Sequence, residues 1–270
     1  MIFKARSTMT SALNKLLFLL VIAMQPVYNL VLASNTMTDS TIAPIKTIKL
    51  ASLEWYPYQG SNLPNQGVAT DIVMTVLKSK GYEVEIDYLP WSRQMRELEN
   101  HRFDGILGAY FTKERTQKFI YSDCYLTSSE YFYKRSDSKI SWKKLSDLKG
   151  YKIGLVRDYA NSPQLDNADF LHKEYVNSDI ANIKKLLNGS LDLIVINKKT
   201  AEYLLITSMA PFFNDIEAIK PPLITHKLCI LFNRDDPKSK QYIADFNQGL
   251  AKIRKDGTYK KILQRHGFTP

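Results

Sequence analysis

The chain is predicted to be an α/β protein built as two matching halves, each a mostly parallel sheet flanked by helices. Three observations predict it. From Ile48 onward, short apolar strand-like stretches alternate with segments of helical periodicity, the signature of βαβ units. Residues 98–106 and 187–194 share one layout, the end of a helix, a tight turn, and a strand opened by an apolar-Asp pair at Phe103-Asp104 and Leu191-Asp192. The run Leu191 to Ile196 is almost continuously apolar, as strands covered by helices on both faces are.

The N-terminal segment fixes the compartment. Lys4, Arg6 and Lys15 form a basic start, Leu16 to Met24 is an uninterrupted apolar run, and Val31-Leu32-Ala33 suits a signal peptidase. Residues 1–33 are therefore read as a signal peptide cleaved after Ala33, which directs the protein to the periplasm. The competing reading is a retained membrane anchor. Against it, Gln25, Pro26 and Asn29 interrupt the run short of the ~20 apolar residues that a span needs. No Cys lies near the cleavage region to carry a lipid. Residues 34–46, rich in Ser and Thr, read as a flexible tail. Cleavage removes three basic residues and no acidic one, so the formal charge of +10 falls but stays positive. The remaining Lys and Arg are scattered over helical segments, which marks a solvated surface, and no nucleic-acid module is recognisable.

In the first half, Ile48 to Leu53 reads as a strand. A helix follows, capped by Thr70 or Asp71, with Ile72, Val73, Val76 and Leu77 on one face and Gly81 as its stop. Tyr82 to Tyr88 alternates as a second strand, Ser92 caps a second helix, and Phe103 to Ala109 returns as a third strand. The second half opens with strands at Tyr151 to Val156 and Tyr175-Val176. Its helix carries Ile180, Ile183, Leu186 and Leu187, ends at Gly189, and feeds the strand Leu191 to Ile196. After Pro221-Pro222 come the strand Leu228 to Phe232, a long helix with Ile243, Phe246, Leu250 and Ile253 inward, and a last helix with Ile262 and Leu263. The two terminal helices lack a sheet of their own and are expected to pack back on the first half.

Ligands of open α/β sheets bind beyond the carboxyl ends of the strands. That rule selects Tyr110 to Arg115, Arg157 to Asn161, and Asn197. Cys124 and Cys229 each sit in an apolar stretch; two buried free thiols are the favoured reading and a disulfide the alternative. No Cys/His spacing resembles a metal site, and no cofactor is expected.

Four landmarks, in this order and spacing, give the chain its family likeness: Trp55-Tyr56-Pro57-Tyr58, Thr112-Lys113-Glu114-Arg115, Phe119 to Tyr125, and Leu145 to Gly150. Through them residues 47–268 resemble the solute-binding proteins of bacterial polar amino-acid uptake systems, family 3. The resemblance implies a two-lobed type II periplasmic binding protein fold with two hinge crossings, near Tyr131 to Arg135 and Leu228 to Asn233. Lobe 1 is then 47–135 plus 229–270, and lobe 2 is 136–228.

The resemblance also implies roles. Arg115, which alone would read as a surface Arg at a helix start, matches the Arg that holds the ligand's carboxylate; its guanidinium is a rigid fork suited to that task. Trp55 and Trp91 match aromatic walls of the cleft, with Glu54 and Arg93 beside them. Tyr110 stands where many relatives have a small hydroxyl residue. Arg157-Asp158-Tyr159 replaces a frequent Gly-Thr pair, and Asn197 replaces an acidic residue that pairs with a ligand ammonium. Two readings stay open at this point: Asp158 supplies the missing charge, or the ligand has no α-amino group.

The function expected is a monomeric, non-enzymatic binding protein that delivers an amino-acid-like carboxylate to an ABC permease in the inner membrane. An exported enzyme on the same fold, resembling cyclohexadienyl dehydratases, is the alternative, although no paired-carboxylate or nucleophile motif stands out. A third reading is a ligand-sensing partner protein.

Overall fold

Apolar-in, polar-out alternation and buried apolar runs shape nine strands and seven α-helices among the described residues, 46–157, 159 and 161–269, of the computed structural model. The expected signal peptide, its cleavage site and the tail as far as residue 45 lie outside them, as does Asp158. The strands are β1 (Lys46–Ser52), β2 (Tyr82–Tyr88), β3 (Gly105–Tyr110), β4 (Phe119–Tyr121), β5 (Leu126–Arg135), β6 (Lys152–Val156), β7 (His172–Val176), β8 (Leu193–Asn197) and β9 (Ile216–Asn233). The helices are α1 (Val68–Lys78), α2 (Trp91–Glu99), α3 (Pro163–Asp166), α4 (Asp179–Leu187), α5 (Lys198–Thr207), α6 (Ser239–Lys255) and α7 (Thr258–Arg265). No helix among the described residues is long and apolar enough to cross a membrane.

The strands join in the order β2-β1-β3-β9-β5-β8-β6-β7, with β4 added on β9. The two ends of that order mirror each other. In one half β1 lies between β2 and β3, parallel to both, and in the other β6 lies between β7 and β8, parallel to both. β3 and β8 each then meet an antiparallel strand, β9 and β5 respectively. All five residues of β8 are buried, as a strand covered on both faces requires.

Helix starts differ from the sequence expectation. α1 begins at Val68 behind Gly67, whose φ of 90° is open to glycine and strained for other residues. Thr70 and Asp71 therefore lie inside the first turn instead of capping it. The Asp71 carboxylate accepts from Asn65, Arg265 and His266, and so ties α1 to the C-terminal end of the chain. α2 likewise starts at Trp91 behind Pro90, with Ser92 in its first turn.

One apolar cluster unites Ile72, Val73 and Val76 of α1 with Phe246, Leu250 and Ile253 of α6 and Ile262 and Leu263 of α7. The terminal helices thus pack against the first βαβ half. In the second half, neighbouring side chains of β5 point to opposite faces: Phe132 enters the cluster with Ile153, Leu155 and Leu193, and Tyr133 the cluster with Ile183, Leu186 and Ile194. Phe132 and Tyr133 already belong to the second half, so the chain crosses earlier than Tyr131 to Arg135. The crossing is a two-stranded antiparallel ribbon, in which Leu126 to Glu130 pair with Leu228 back to Ile224. Cys124 and Cys229 form a disulfide at the first-half end of that ribbon, which corrects the favoured reading of two free thiols.

Candidate functional site

A cleft of about 360 Å³ opens beyond the carboxyl ends of the strands. The first half lines it with Leu53, Glu54, Trp55, Trp91, Gly108, Tyr110 and Arg115. The second half and the ribbon add Glu130, Arg157, Tyr159, Asn161, Asp179, Val195, Ile196, Asn197 and Thr200. Aromatic walls with a few convergent polar groups are what a small-solute site requires.

Arg115 is held by two contacts. Its Nη1 donates to the Tyr110 carbonyl at 3.0 Å, and its guanidinium carbon sits 4.6 Å from the centroid of the Trp91 ring. These contacts leave further N–H donors of the fork free to engage a ligand. Trp55 stacks on Tyr58 at 4.2 Å and meets Tyr110 edge-on at 5.8 Å. Tyr110 in turn stacks on His226 at 4.0 Å, and its hydroxyl pairs with Ser128 Oγ at 3.1 Å. Burial pushes the Tyr110 phenol well above its ordinary pKa, so it remains a neutral hydroxyl. Gly108, at φ +75°, lets the cleft wall pass close to the Gln59 side chain, which a Cβ at that position would strike.

Asn197 has a structural task. Its Oδ1 accepts from Lys199 N and Thr200 N, capping α5. Its Nδ2 donates to Ser128 Oγ at 2.5 Å and to the Ser129 carbonyl at 3.3 Å. Both amide protons and both acceptor directions are thus engaged within the protein. Asn197 lines the cleft, but its polar atoms are committed elsewhere.

Glu130 and Asp179 supply the carboxylates. Glu130 leaves the ribbon strand β5 with only 12 % of its side chain exposed, and its Oε2 is buried without a hydrogen-bond partner. Burial, reinforced by the negative charges of Asp179 and Asp166, pushes its pKa up to about 8. Asp179 stands at the first position of α4, just past the carboxyl end of β7, and burial raises it to about 6. The His226 imidazole, 3.9 Å from Glu130, is shifted downward by burial and stays neutral at physiological pH. Among the described residues no group of three or more His, Cys, Asp or Glu side chains could hold a metal ion.

Eight of the ten expected site residues line the cleft: Arg115, Trp55, Trp91, Tyr110, Tyr159, Asn197, Glu54 and Arg157. Glu54 sits on the rim, exposed, and accepts from the Ser61 amide and hydroxyl. Arg157 and Tyr159 are also exposed. Arg93 does not line the cleft; it lies on the solvent side of α2, 3.9 Å from Glu97. Asn161, the end of the stretch from Arg157 that the strand-end rule selects, also lines the cleft, whereas Glu130, Asp179 and Thr200 were not expected. The strand-end rule that selected Asn197 reaches Asp179 equally, once β7 is read to its end. No local signal marks Glu130, whose orientation is set by strand pairing.

The sequence model of the bacterial extracellular solute-binding proteins, family 3, matches residues 49–269. The arginine-binding extracellular protein ArtP of Bacillus subtilis is 26% identical over 141 residues, 51% of this chain and 54% of ArtP; the match spans about half of ArtP's length. A crystal structure of the P235GK mutant of ArgBP from T. maritima superposes with a TM-score of 0.65 at 18% identity, covering 81% of this chain and 94% of that one. A histidine kinase sensor domain with similarity to periplasmic binding proteins superposes with a TM-score of 0.68 at 19% identity, covering 83% and 98%. These likenesses are of fold, the two-lobed type II periplasmic binding protein fold expected from the sequence.

Proposed function

We propose, since the chain belongs to the bacterial extracellular solute-binding proteins, family 3, that it captures a small amino-acid-like carboxylate in the periplasm and delivers it to an ABC-type permease of the inner membrane. The first half with the terminal helices and the second half, joined by the ribbon of Leu126 to Glu130 and Ile224 to Leu228, act as the two lobes that close over the ligand, and the protein works as a monomer without a cofactor. The observation that carries this reading is Arg115. A guanidinium stacked on Trp91 and hydrogen-bonded to Tyr110 is oriented before the ligand arrives, and its remaining N–H pair fits a carboxylate. The arginine-binding name of ArtP agrees with an amino-acid ligand.

The test is a thermal-shift screen over amino acids, small carboxylates and amines, repeated with Arg115→Ala. A ligand that binds only the folded protein raises the melting temperature. The expected result is a carboxylate hit whose affinity falls ~100-fold or more in the variant, because a buried charge loses its partner. Unchanged binding by Arg115→Ala sinks the reading.

One observation favours an enzyme on the same fold: Glu130 is a buried carboxylic acid protonated near neutral pH, as a general acid would be. Turnover of prephenate or arogenate would select that reading.

A further inference from the structure

A second cavity, of about 490 Å³, lies between the first-half end of the ribbon and the terminal helices α6 and α7. It shares no lining residue with the cleft that holds Arg115. Thr127 and Lys227 are paired across the ribbon, next to the pair of Ser128 and His226. Side chains alternate along a strand, so Thr127 and Lys227 stand on the face turned away from Ser128 and Glu130. Glu130 lines the cleft, whereas Thr127 and Lys227 line the second cavity behind it.

Arg254 of α6 is held in this cavity much as Arg115 is held in the cleft. Its Nη2 donates to the Cys124 carbonyl at 3.0 Å, and its guanidinium carbon lies 5.3 Å from the centroid of the Tyr259 ring. Both supports are themselves fixed. The Tyr259 hydroxyl donates to the Tyr125 carbonyl at 2.6 Å, and the disulfide ties Cys124 to Cys229 on β9. An exposed arginine ordinarily samples many rotamers; orienting this one beforehand removes part of the ordering cost of binding, and the Cys124 carbonyl engages only one of the five N–H donors of the guanidinium.

The lining narrows what can bind. Lys227 and Arg254 set two positive charges against the one negative charge of Asp123, which leaves one for a ligand to balance. Buried Leu263 and Phe268, with the half-buried Tyr259 ring, add an apolar wall. A bare inorganic anion would leave that wall wet, and an uncharged apolar molecule would leave the cations unanswered.

We propose that this cavity is a second ligand site, which takes a small monocarboxylate with an apolar body. The carboxylate lies between Arg254 and Lys227, and the body packs on Tyr259, Leu263 and Phe268. The site stands apart from the Arg115 cleft and does not depend on what that cleft binds.

The experiment is calorimetric titration of Arg115→Ala protein, whose cleft lacks its guanidinium, with benzoate, benzamide and inorganic phosphate. Benzoate is expected to bind. Benzamide has the shape without the charge and phosphate the charge without the apolar body, so each should bind about tenfold more weakly or worse. Adding Arg254→Gln, which can still donate to the Cys124 carbonyl, should weaken benzoate binding about tenfold, and adding Lys227→Gln should weaken it by a smaller factor. An unchanged melting temperature reports that each variant is folded. Absence of benzoate binding, benzamide or phosphate binding as tightly as benzoate, or a benzoate affinity indifferent to both added substitutions overturns the assignment.

Discussion

The guanidinium of Arg115 lies 4.6 Å over the ring of Trp91, so a charge and the surface that orients it come from two different segments of the first half. Trp91→Ala should therefore weaken carboxylate binding without removing any group that touches the carboxylate. A cation–π contact contributes roughly 0.5–2 kcal/mol, which corresponds to a loss of about 2- to 30-fold. Trp91→Phe should recover part of it. Equal affinities for wild type and Trp91→Ala, measured calorimetrically, would show that Arg115 is held by its bond to Tyr110 alone.

Asn197→Ala should lower stability more than a cleft-lining position ordinarily would. The substitution removes the cap of α5 and the tie to Ser128, and loss of a cap alone costs about 0.5–2 kcal/mol. Chemical denaturation measures the cost directly. A midpoint unchanged from wild type would mean that the cap and the tie contribute nothing.

The pH dependence of the unliganded protein has a definite sign. Folding raises the pKa of Glu130 from 4.5 to about 8, so its contribution to stability is full below the unfolded value and is lost as pH rises to about 8. Asp179, raised from 3.8 to about 6, acts in the same direction over a lower window. His226, lowered from 6.5, opposes them, because its contribution is lost as pH falls. The groups facing Glu130 are Asp179, Asp166, His226 and Tyr110. The melting temperature should fall between about pH 6 and about pH 8, and Glu130→Gln should flatten that fall. Parallel curves for the two proteins would deny Glu130 its part.

Replacing both cysteines with alanine, or reducing the bond, should destabilise the protein by ~2–4 kcal/mol, since the bond closes a long loop in the unfolded chain. The residues joined are 105 apart in sequence. Urea unfolding with and without reductant provides the measurement; coincident curves would mean that the bond adds nothing to stability.

Much of the fold is legible because local pattern and tertiary demand agree. β2, with its alternation from Tyr82 to Tyr88, and β8, with its apolar run, read directly. β5 does not, because Thr127, Ser128, Ser129 and Glu130 lack an apolar period; that stretch is a strand through its partners on β9 and not through propensity. β9, broken in sequence by Pro221-Pro222, reads as only its last third for a related reason. The site divides similarly. Arg115 and the two Trp residues carry a family signature, whereas Asn197 looks like a ligand residue until its four hydrogen bonds are traced, and Glu130 is assigned by strand register alone.

Because β5 and β9 cross side by side and are bonded to each other, the halves are joined by one ribbon and not by two independent tethers. Bending such a ribbon keeps its hydrogen bonds, while sliding one strand along the other breaks them, so relative motion of the halves is steered into rotation and away from shear. The same pairing sets the face on which Ser128, Glu130 and His226 stand. A single residue inserted or deleted at Thr127 would turn Glu130 away from the cleft and carry with it Ser128, which holds Tyr110 and Asn197, so strand register is a determinant of the site in its own right.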